Sequence, residues 1–385
     1  MMDAVARRLR TSNLGYQLGL IGFVSLRSTL RMTSYLPRVH PAFIPRLLLL
    51  IATSVASSPL RMWERIRYGA RIRATKLPPP IFVIGHWRSG TTHLHNLISQ
   101  DPDLGIVSMY QAMVPNCSLV SEPWLKPMLS AIVPNKRPMD NMVWPVDAPQ
   151  EEEIPLAKLT PYSFYMRSLF PMESADLFRR YVLLDGSPPK IAREIAAKYR
   201  RILQVATLRA GGKRLVLKNP VNTARIRLLL ELFPDAKFVH AVRCPYEVFS
   251  STVHLHARIL PLTTLQTVPL TPSSPIILSI YEDMMQRFLE DRARIPPGNL
   301  VEVRYEDLER DPLGQLRRVY ETLGLPGFAQ AEPHIRKYVE SQRSYEKNKL
   351  KLSDENRRLV TEHWGFAFRA FGYRSDADTP EPERV

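Results

Sequence analysis

Two cysteines, Cys117 and Cys244, are all that this chain of 385 residues contains. A disulfide-built scaffold is therefore excluded, and such sparse use suits a reducing compartment. No Cys-x2-Cys or His-x3-His spacing occurs, so no metal is expected. Glycine is also sparse, at 16, with no collagen-like period, while the 34 prolines mark structured loops. Acid is almost missing from the first 76 residues. Only Asp3 and Glu64 stand there against 13 lysines and arginines, so 13 − 2 = +11 of the +16 net charge lies in that stretch. Interleaved aromatics and a nucleic-acid fold signature are missing as well, so no nucleic-acid partner is expected.

A long apolar run is lacking too. The best candidate, Leu47 to Leu60, is bounded by Pro45-Arg46 and Pro59 and holds four serines or threonines. That is short of the about 20 apolar residues that a spanning helix requires. Together with Gly15 to Leu26 it reads as amphipathic helix, either lying on an anionic membrane surface or packed on the main domain. The expected location is cytoplasmic, peripheral on a membrane if the first alternative holds. What is present in quantity is ordinary globular composition, 45% hydrophobic and 23% charged, enough for one or two domains. The expected organisation is a basic helical segment over 1–77, a main domain over 78–373 and a loose tail over 374–385.

Specific signals begin after Pro78-Pro79-Pro80. Ile81-Phe82-Val83-Ile84 reads as a buried parallel strand. Gly85-His86-Trp87-Arg88-Ser89-Gly90-Thr91-Thr92 follows, and Leu94, Leu97 and Ile98 then mark one face of a helix. Strand, glycine loop and helix make a phosphate cradle, because backbone N–H groups and the helix N-terminus converge on one point. Gly85-x4-Gly90 has the spacing of the nucleotide P-loop, but Thr91 stands where that loop has its lysine. Without the lysine, and with no obvious metal-holding acid, phosphoryl transfer is disfavoured. Arg88 remains as a cation that can fork onto an anionic group.

A second set of elements points to the same edge. Arg214-Leu215-Val216-Leu217 reads as a strand ending at Lys218, with a helix around Leu228 to Leu232 behind it. Lys237 to Val242 reads as another strand, ending at Arg243 with a helix through Ser251. The βαβα order makes the strands parallel and puts the ligand at their C-terminal ends. Arg243 and Ser251 are eight residues apart, so a strand-tip arginine and a serine about two helical turns on can reach one phosphate. The expected fold is a P-loop-like three-layer α/β sandwich, a central parallel sheet with flanking helices, plus the N-terminal helical segment.

At Arg88-Ser89-Gly90-Thr91-Thr92 the chain resembles the sulfotransferases that use 3′-phosphoadenosine 5′-phosphosulfate (PAPS) and release 3′-phosphoadenosine 5′-phosphate (PAP), in particular bacterial-type members. The resemblance spans about residues 78–373. It implies that Arg88, Ser89, Gly90, Thr91 and Thr92 cradle the donor and that Arg243 and Ser251 hold its 3′-phosphate. It implies further that Lys218 stands near the bridging oxygen, that Tyr305 of Tyr305-Glu306-Asp307 lies near the nucleotide, and that no metal is needed. The activity implied is transfer of a sulfuryl group to a hydroxyl or amine of a hydrophobic, lipid or carbohydrate acceptor. A P-loop kinase or NTPase relative and an inactive PAP or PAPS binder are the alternatives.

The chain departs from many relatives at Trp87, where proline is common. It departs again where a base is expected, with Pro220 two residues after Lys218 and Gln111 after the first helix. The nearest acids are Glu151, Glu152 and Glu153 in Asp147-Ala148-Pro149-Gln150-Glu151-Glu152-Glu153. Mutual repulsion raises at least one pKa in such a cluster, as a base requires, and Glu152 is the first choice. The alternative is a solvated helix start. His86, His93, His95, His240, His254 and His256 are the rival bases. Met109 to Trp144, with five methionines and two tryptophans, and the proline- and threonine-rich stretch from Arg258 to Pro275 read as loops around an apolar acceptor pocket, the first of them equally well as a subdomain core.

Overall fold

The computed structural model describes residues 13–134, 137, 139–140, 142–267, 274–343 and 350–376. Arg7, Arg8, Arg10 and residues 268–273 thus lie outside the described residues. Five parallel strands form one sheet in the order β2-β3-β1-β4-β5. They are β1 (Ile81–Ile84), β2 (Leu104–Gly105), β3 (Arg214–Lys218), β4 (Lys237–Val242) and β5 (Leu300–Arg304). Ile81 faces Val216 on one side and Lys237 on the other. Strand β1 therefore sits where the chain switches from one half of the sheet to the other, the place where parallel sheets open a ligand crevice.

Alternate side chains of the strands feed two cores. Phe82, Ile84, Leu215, Leu217 and Phe238 enter one, and Ile81, Val83, Val216, Val239 and Val301 enter the other. Period-two burial on both faces is why these strands are apolar throughout. The N-terminal segment supplies α1 (Asn13–Leu20), α2 (Leu26–Arg31), α3 (Ile44–Ala56) and α4 (Ser58–Ala74). Helix α5 (Thr91–Ile98) leaves the glycine loop and packs Leu94, Leu97 and Ile98 on the second face. Between β2 and β3 come α6 (Met109–Met113), α7 (Ser118–Ile132), α8 (Glu153–Leu159) and α9 (Pro189–Arg209). The sheet is completed by α10 (Ile226–Leu232), α11 (Pro245–Thr263), α12 (Ser274–Asp291), α13 (Tyr305–Arg310), α14 (Pro312–Leu323), α15 (Phe328–Ser341) and α16 (Asp354–Phe371).

Several expectations change. Pro45 and Pro59 do not bound an apolar run. Both sit in the first turn of a helix, where a missing N–H costs nothing. Helices α3 and α4 follow one another so closely that Pro41–Ala74 is one helical run, long and apolar enough by length and composition to cross a membrane. The stretch 109–144 takes the subdomain-core alternative, since α6 and α7 occupy much of it and Met109, Tyr110, Met113 and Leu129 form a third core. Helix α11 carries the chain as far as Thr263, well into the stretch read as loop. Beyond residue 373, Ser375 is buried and the Asp376 N–H donates to Tyr246 Oη at 2.9 Å.

Candidate active site

The C-terminal ends of β1, β3, β4 and β5 carry Gly85, Lys218, Arg243 and Tyr305. A cavity of about 580 Å³ opens above them, lined at one end by Arg88, Gly90, Thr91, Thr92, Lys218, Arg243 and Tyr305. Arg88 takes a left-handed backbone, with φ of 70°. A non-glycine residue there is strained, and such strain is characteristic of ligand loops. Gly85 at φ 133° and Gly90 at φ 95° flank it. At Gly90 a Cβ would run into the ring of Tyr305, so only glycine lets the loop and the ring pack together. Thr91 and Thr92 open α5, so their N–H groups lack partners within the helix.

Arg88 gathers the remaining anion-seeking groups. Its Nε donates to Ser251 Oγ at 2.9 Å, and its carbonyl accepts from Arg243 Nη1 at 3.2 Å. The guanidinium of Arg243 lies 4.4 Å from the Tyr305 ring centroid. The structure thus brings Arg88, Gly90, Arg243, Ser251 and Tyr305 into one cluster. Ser89 is different: it is buried, and its hydroxyl donates to His86 O at 2.8 Å, which braces the loop from behind. Asp140 was not foreseen. It is buried and bonds Arg88 Nη1 at 2.9 Å, with Arg137 Nε 3.4 Å away. Burial pushes its carboxyl up, but Arg137 and Arg88 outweigh that and hold it below its ordinary value.

The three glutamates go three ways. Glu151 lines the cavity, where it pairs with Lys218 Nζ and accepts from Tyr165 Oη. The Tyr165 oxygen in turn accepts from Trp87 Nε1 at 2.8 Å. The tryptophan that replaces the common proline therefore fixes the tyrosine that fixes Glu151. Glu152, the first choice from sequence, is fully buried and does not line the cavity. It accepts from the Lys218 N–H at 2.9 Å and from Tyr199 Oη at 3.3 Å. Burial pushes its pKa up to about 8, against the opposing pull of the Lys218 N–H. The raised pKa expected of the cluster is present, but on a carboxyl without access to the cavity. Glu153 is buried as well, and Arg225, Ser163 and Asn219 hold it as a structural anchor.

Burial lowers the Lys218 pKa, opposed mainly by the Glu151 carboxylate. Of the rival histidines, His93 and His256 line the cavity, whereas His86, His95, His240 and His254 do not. His86 is driven down to about 3 by burial, with Nδ1 against Trp87 O. His95 Nε2 meets Val216 O, and His240 Nδ1 meets Glu302 Oε1. His256 bonds Arg167 Nη2 at 2.8 Å, and both line the cavity.

Away from the loop the lining is largely apolar, with Lys158, Arg167 and His256 set into it. Leu255, Ile259, Leu260 and Thr263 come from one face of α11, and Leu20, Ile21 and Val24 come from the N-terminal segment. Ser251 and Thr263 are 12 residues apart, so that face runs about 18 Å from the anion cluster. Met139, Met142 and Trp144 close another side. One site thus joins a polar, cationic end to a long apolar end, with Glu151 and Lys218 on its wall.

The family model of the sulfotransferases matches residues 79–330. The chain belongs to the sulfotransferase family. It is similar to the omega-hydroxy-beta-dihydromenaquinone-9 sulfotransferase Stf3 of Mycobacterium tuberculosis, with 37% identity over 333 residues, 86% of this chain and 84% of that protein. The Mycobacterium bovis Stf3 matches equally. Its fold resembles the solved sulfotransferase STF9 of Mycobacterium avium, with a TM-score of 0.70 and 19% identity over 97% of each chain. STF1 of Mycobacterium tuberculosis follows at 0.59 and 21% identity, over 95% of this chain and 97% of that one. A sulfotransferase is therefore an enzyme of sulfuryl transfer on a P-loop-like fold, and the phosphoryl-transfer alternative is set aside. Among the described residues no group of three or more His, Cys, Asp or Glu is placed to hold a metal ion.

The site residues that sequence missed are Tyr165, Asp140 and Arg137. Tyr165 lies in Tyr162-Ser163-Phe164-Tyr165, and nothing in that pattern separates a ligand of Glu151 from a core aromatic. Arg137 and Asp140 lie in Arg137-Pro138-Met139-Asp140, within a stretch read for its apolar content alone.

Proposed function

We propose that this sulfotransferase moves the sulfuryl group of PAPS to a hydroxyl of a lipid-like acceptor, with Glu151 as the general base. The observation that carries the reading is the two-ended cavity, cationic around Arg88 and Arg243 and apolar along α11 and α1. PAPS supplies the activated sulfuryl group. Arg88, Thr91 and Thr92 hold its phosphosulfate end, and Arg243 and Ser251 hold the 3′-phosphate, with Tyr305 beside the nucleotide. The fit rests on chemistry present in the chain: donors and cations converge on a cradle in which only glycine is tolerated at position 90.

Lys218 neutralises charge that grows on the leaving phosphate. Glu151 Oε takes the acceptor's hydroxyl proton as the oxygen bonds to sulfur, and PAP leaves. Tyr165 and Trp87 orient that carboxylate. The apolar end excludes water, which would otherwise compete as acceptor. A lipid acceptor agrees with the acceptor named for the mycobacterial relative. The test is transfer of labelled sulfate from PAPS to lipid extracts, alongside calorimetry of PAP without magnesium. PAP binding with label appearing in lipid supports the reading. PAP binding without transfer to any acceptor leaves a donor binder instead.

A further inference from the structure

Along the helical run Pro41–Ala74 an apolar stripe faces outward. Ile44, Leu48, Ala52, Val55, Pro59, Met62 and Ile66 are all exposed. Their spacings of 4, 4, 3, 4, 3 and 4 keep them on one stripe, about 33 Å long at the helical rise. Met62 is 66% and Ile66 77% exposed, and Trp63 beside them is 51% exposed. The face turned to the protein is mixed, with Leu50 and Ile72 buried on it beside polar groups. Ser54, Ser57 and Glu64 are buried there. Arg61 donates to Ser54 O and Ser57 Oγ, and Glu64 accepts from the Leu119 N–H at 2.8 Å. An amphipathic helix of a water-facing surface would carry polar residues on its outer face instead.

Charge states what covers the stripe. Glu64 is the only acid among residues 13–76, and it is buried. Arg65, Arg67, Arg71 and Arg73 are exposed on the same helical run, and Arg27, Arg38 and Lys76 are exposed elsewhere in the segment. A second copy of the chain would bring like charge against like, whereas an anionic bilayer complements both the charge and the apolar face. The run does not cross the membrane, because its other face is held to the protein through Glu64 and Ser54, and crossing would place Glu64 in hydrocarbon.

We propose that helices α3 and α4 form a docking face for an anionic lipid surface, and that the acceptor enters the cavity from that surface. The face and the cavity are adjacent. The Phe23 N–H donates to Thr53 Oγ1 at 3.1 Å and Thr29 Oγ1 to Ser54 Oγ at 3.3 Å, so α3 backs the segment whose Leu20, Ile21 and Val24 line the apolar end. Arg46 donates to Pro261 O at 3.1 Å and to Thr264 O, which fastens α3 to the far end of α11 beside Thr263. The docking face itself stands on its own observations, while entry of the acceptor rests on the lipid reading above.

The experiment compares the full chain with a triple variant, Leu48→Glu, Val55→Glu and Ile66→Glu, whose sites are exposed. Vesicles of phosphatidylcholine with phosphatidylglycerol are sedimented with each protein, with and without added salt. The wild type is expected in the pellet, with weaker binding at high salt, and the variant bound at least about tenfold less. Titration with PAP is expected to match between the two, which shows that the variant is folded. Transfer to a short soluble alcohol is expected to stay unchanged, while transfer to a long-chain alcohol held in the vesicles falls. The docking face is overturned if the wild type stays in the supernatant, if the variant sediments like the wild type, or if the wild type alone is a stable dimer that the variant dissociates. Vesicle binding with no transfer to any alcohol overturns the lipid reading and leaves the docking face standing.

Discussion

The Glu151 carboxylate closes on the Lys218 ammonium at the end of β3, and both side chains are largely shut off from water, at 14% and 3% exposure. Proton acceptor and charge neutraliser are thereby preassembled. Glu151→Gln keeps the shape and accepts no proton, so turnover is expected to fall on the order of 10²–10⁴-fold with PAP affinity within a small factor. Glu152→Gln is expected to leave turnover near normal, since that carboxyl does not line the cavity. Steady-state kinetics with PAP calorimetry checks the pair. Normal turnover in Glu151→Gln moves the base elsewhere.

Glu152 also predicts a pH-dependent stability. Its pKa rises from 4.5 to about 8 on folding. The folded state therefore binds the extra proton between those values, and stability from this group is present below pH 4.5 and is lost as pH rises towards 8. Glu152→Gln mimics the protonated form and removes the dependence. Its Tm relative to wild type is expected to rise between pH 5.5 and 8.5 by at least about 2 °C, roughly what 1 kcal/mol does in a large domain. Melting curves at both pH values decide, and a constant gap refutes the assignment.

At Gly90 a methyl group meets the Tyr305 ring and must also adopt φ of 95°. Gly90→Ala is expected to cost about 1–3 kcal/mol of stability and to weaken PAP binding at least about tenfold. Adding Tyr305→Ala removes the overlap, so stability is expected to recover in part while affinity does not. Thermal melts and calorimetry on the two variants separate strain from lost contact with the nucleotide.

Arg243→Ala is expected to weaken PAP binding more than Ser251→Ala. The guanidinium contributes a charge-assisted bond of about 1.5–3 kcal/mol, against about 1 kcal/mol for a neutral hydroxyl. Equal and small losses in the two variants would sink the 3′-phosphate assignment.

The parallel sheet and the glycine loop were legible because each rests on local pattern. Ile81 to Ile84 and Lys237 to Val242 are apolar on both faces, and Gly85-x4-Gly90 has a spacing that one loop geometry explains. The choice among Glu151, Glu152 and Glu153 was not legible. Three adjacent carboxyls in one turn point in three directions, and only the later placement of Lys218, Tyr199 and Arg225 decides which one meets the cavity. The outward apolar stripe of α3 and α4 was hidden for a related reason. Periodicity reports that one face differs from the other, but not which face the protein takes. Proline was overread, since Pro45 and Pro59 start helices as readily as they stop them.

The register of β1 has a kinetic consequence. Ile81 pairs with Val216 and with Lys237, so its nearest partner lies 216 − 81 = 135 residues downstream. Loop closure over that distance precedes any gain from the pairing, and non-local parallel sheets fold slowly for this reason. On the ribosome, the apolar stripe and the first strand emerge well before β3 and β4 exist. At 5–20 residues per second, roughly 7 to 27 seconds separate β1 from its first neighbour. During that interval the unpaired strand and the stripe are both exposed, a condition under which nascent chains aggregate.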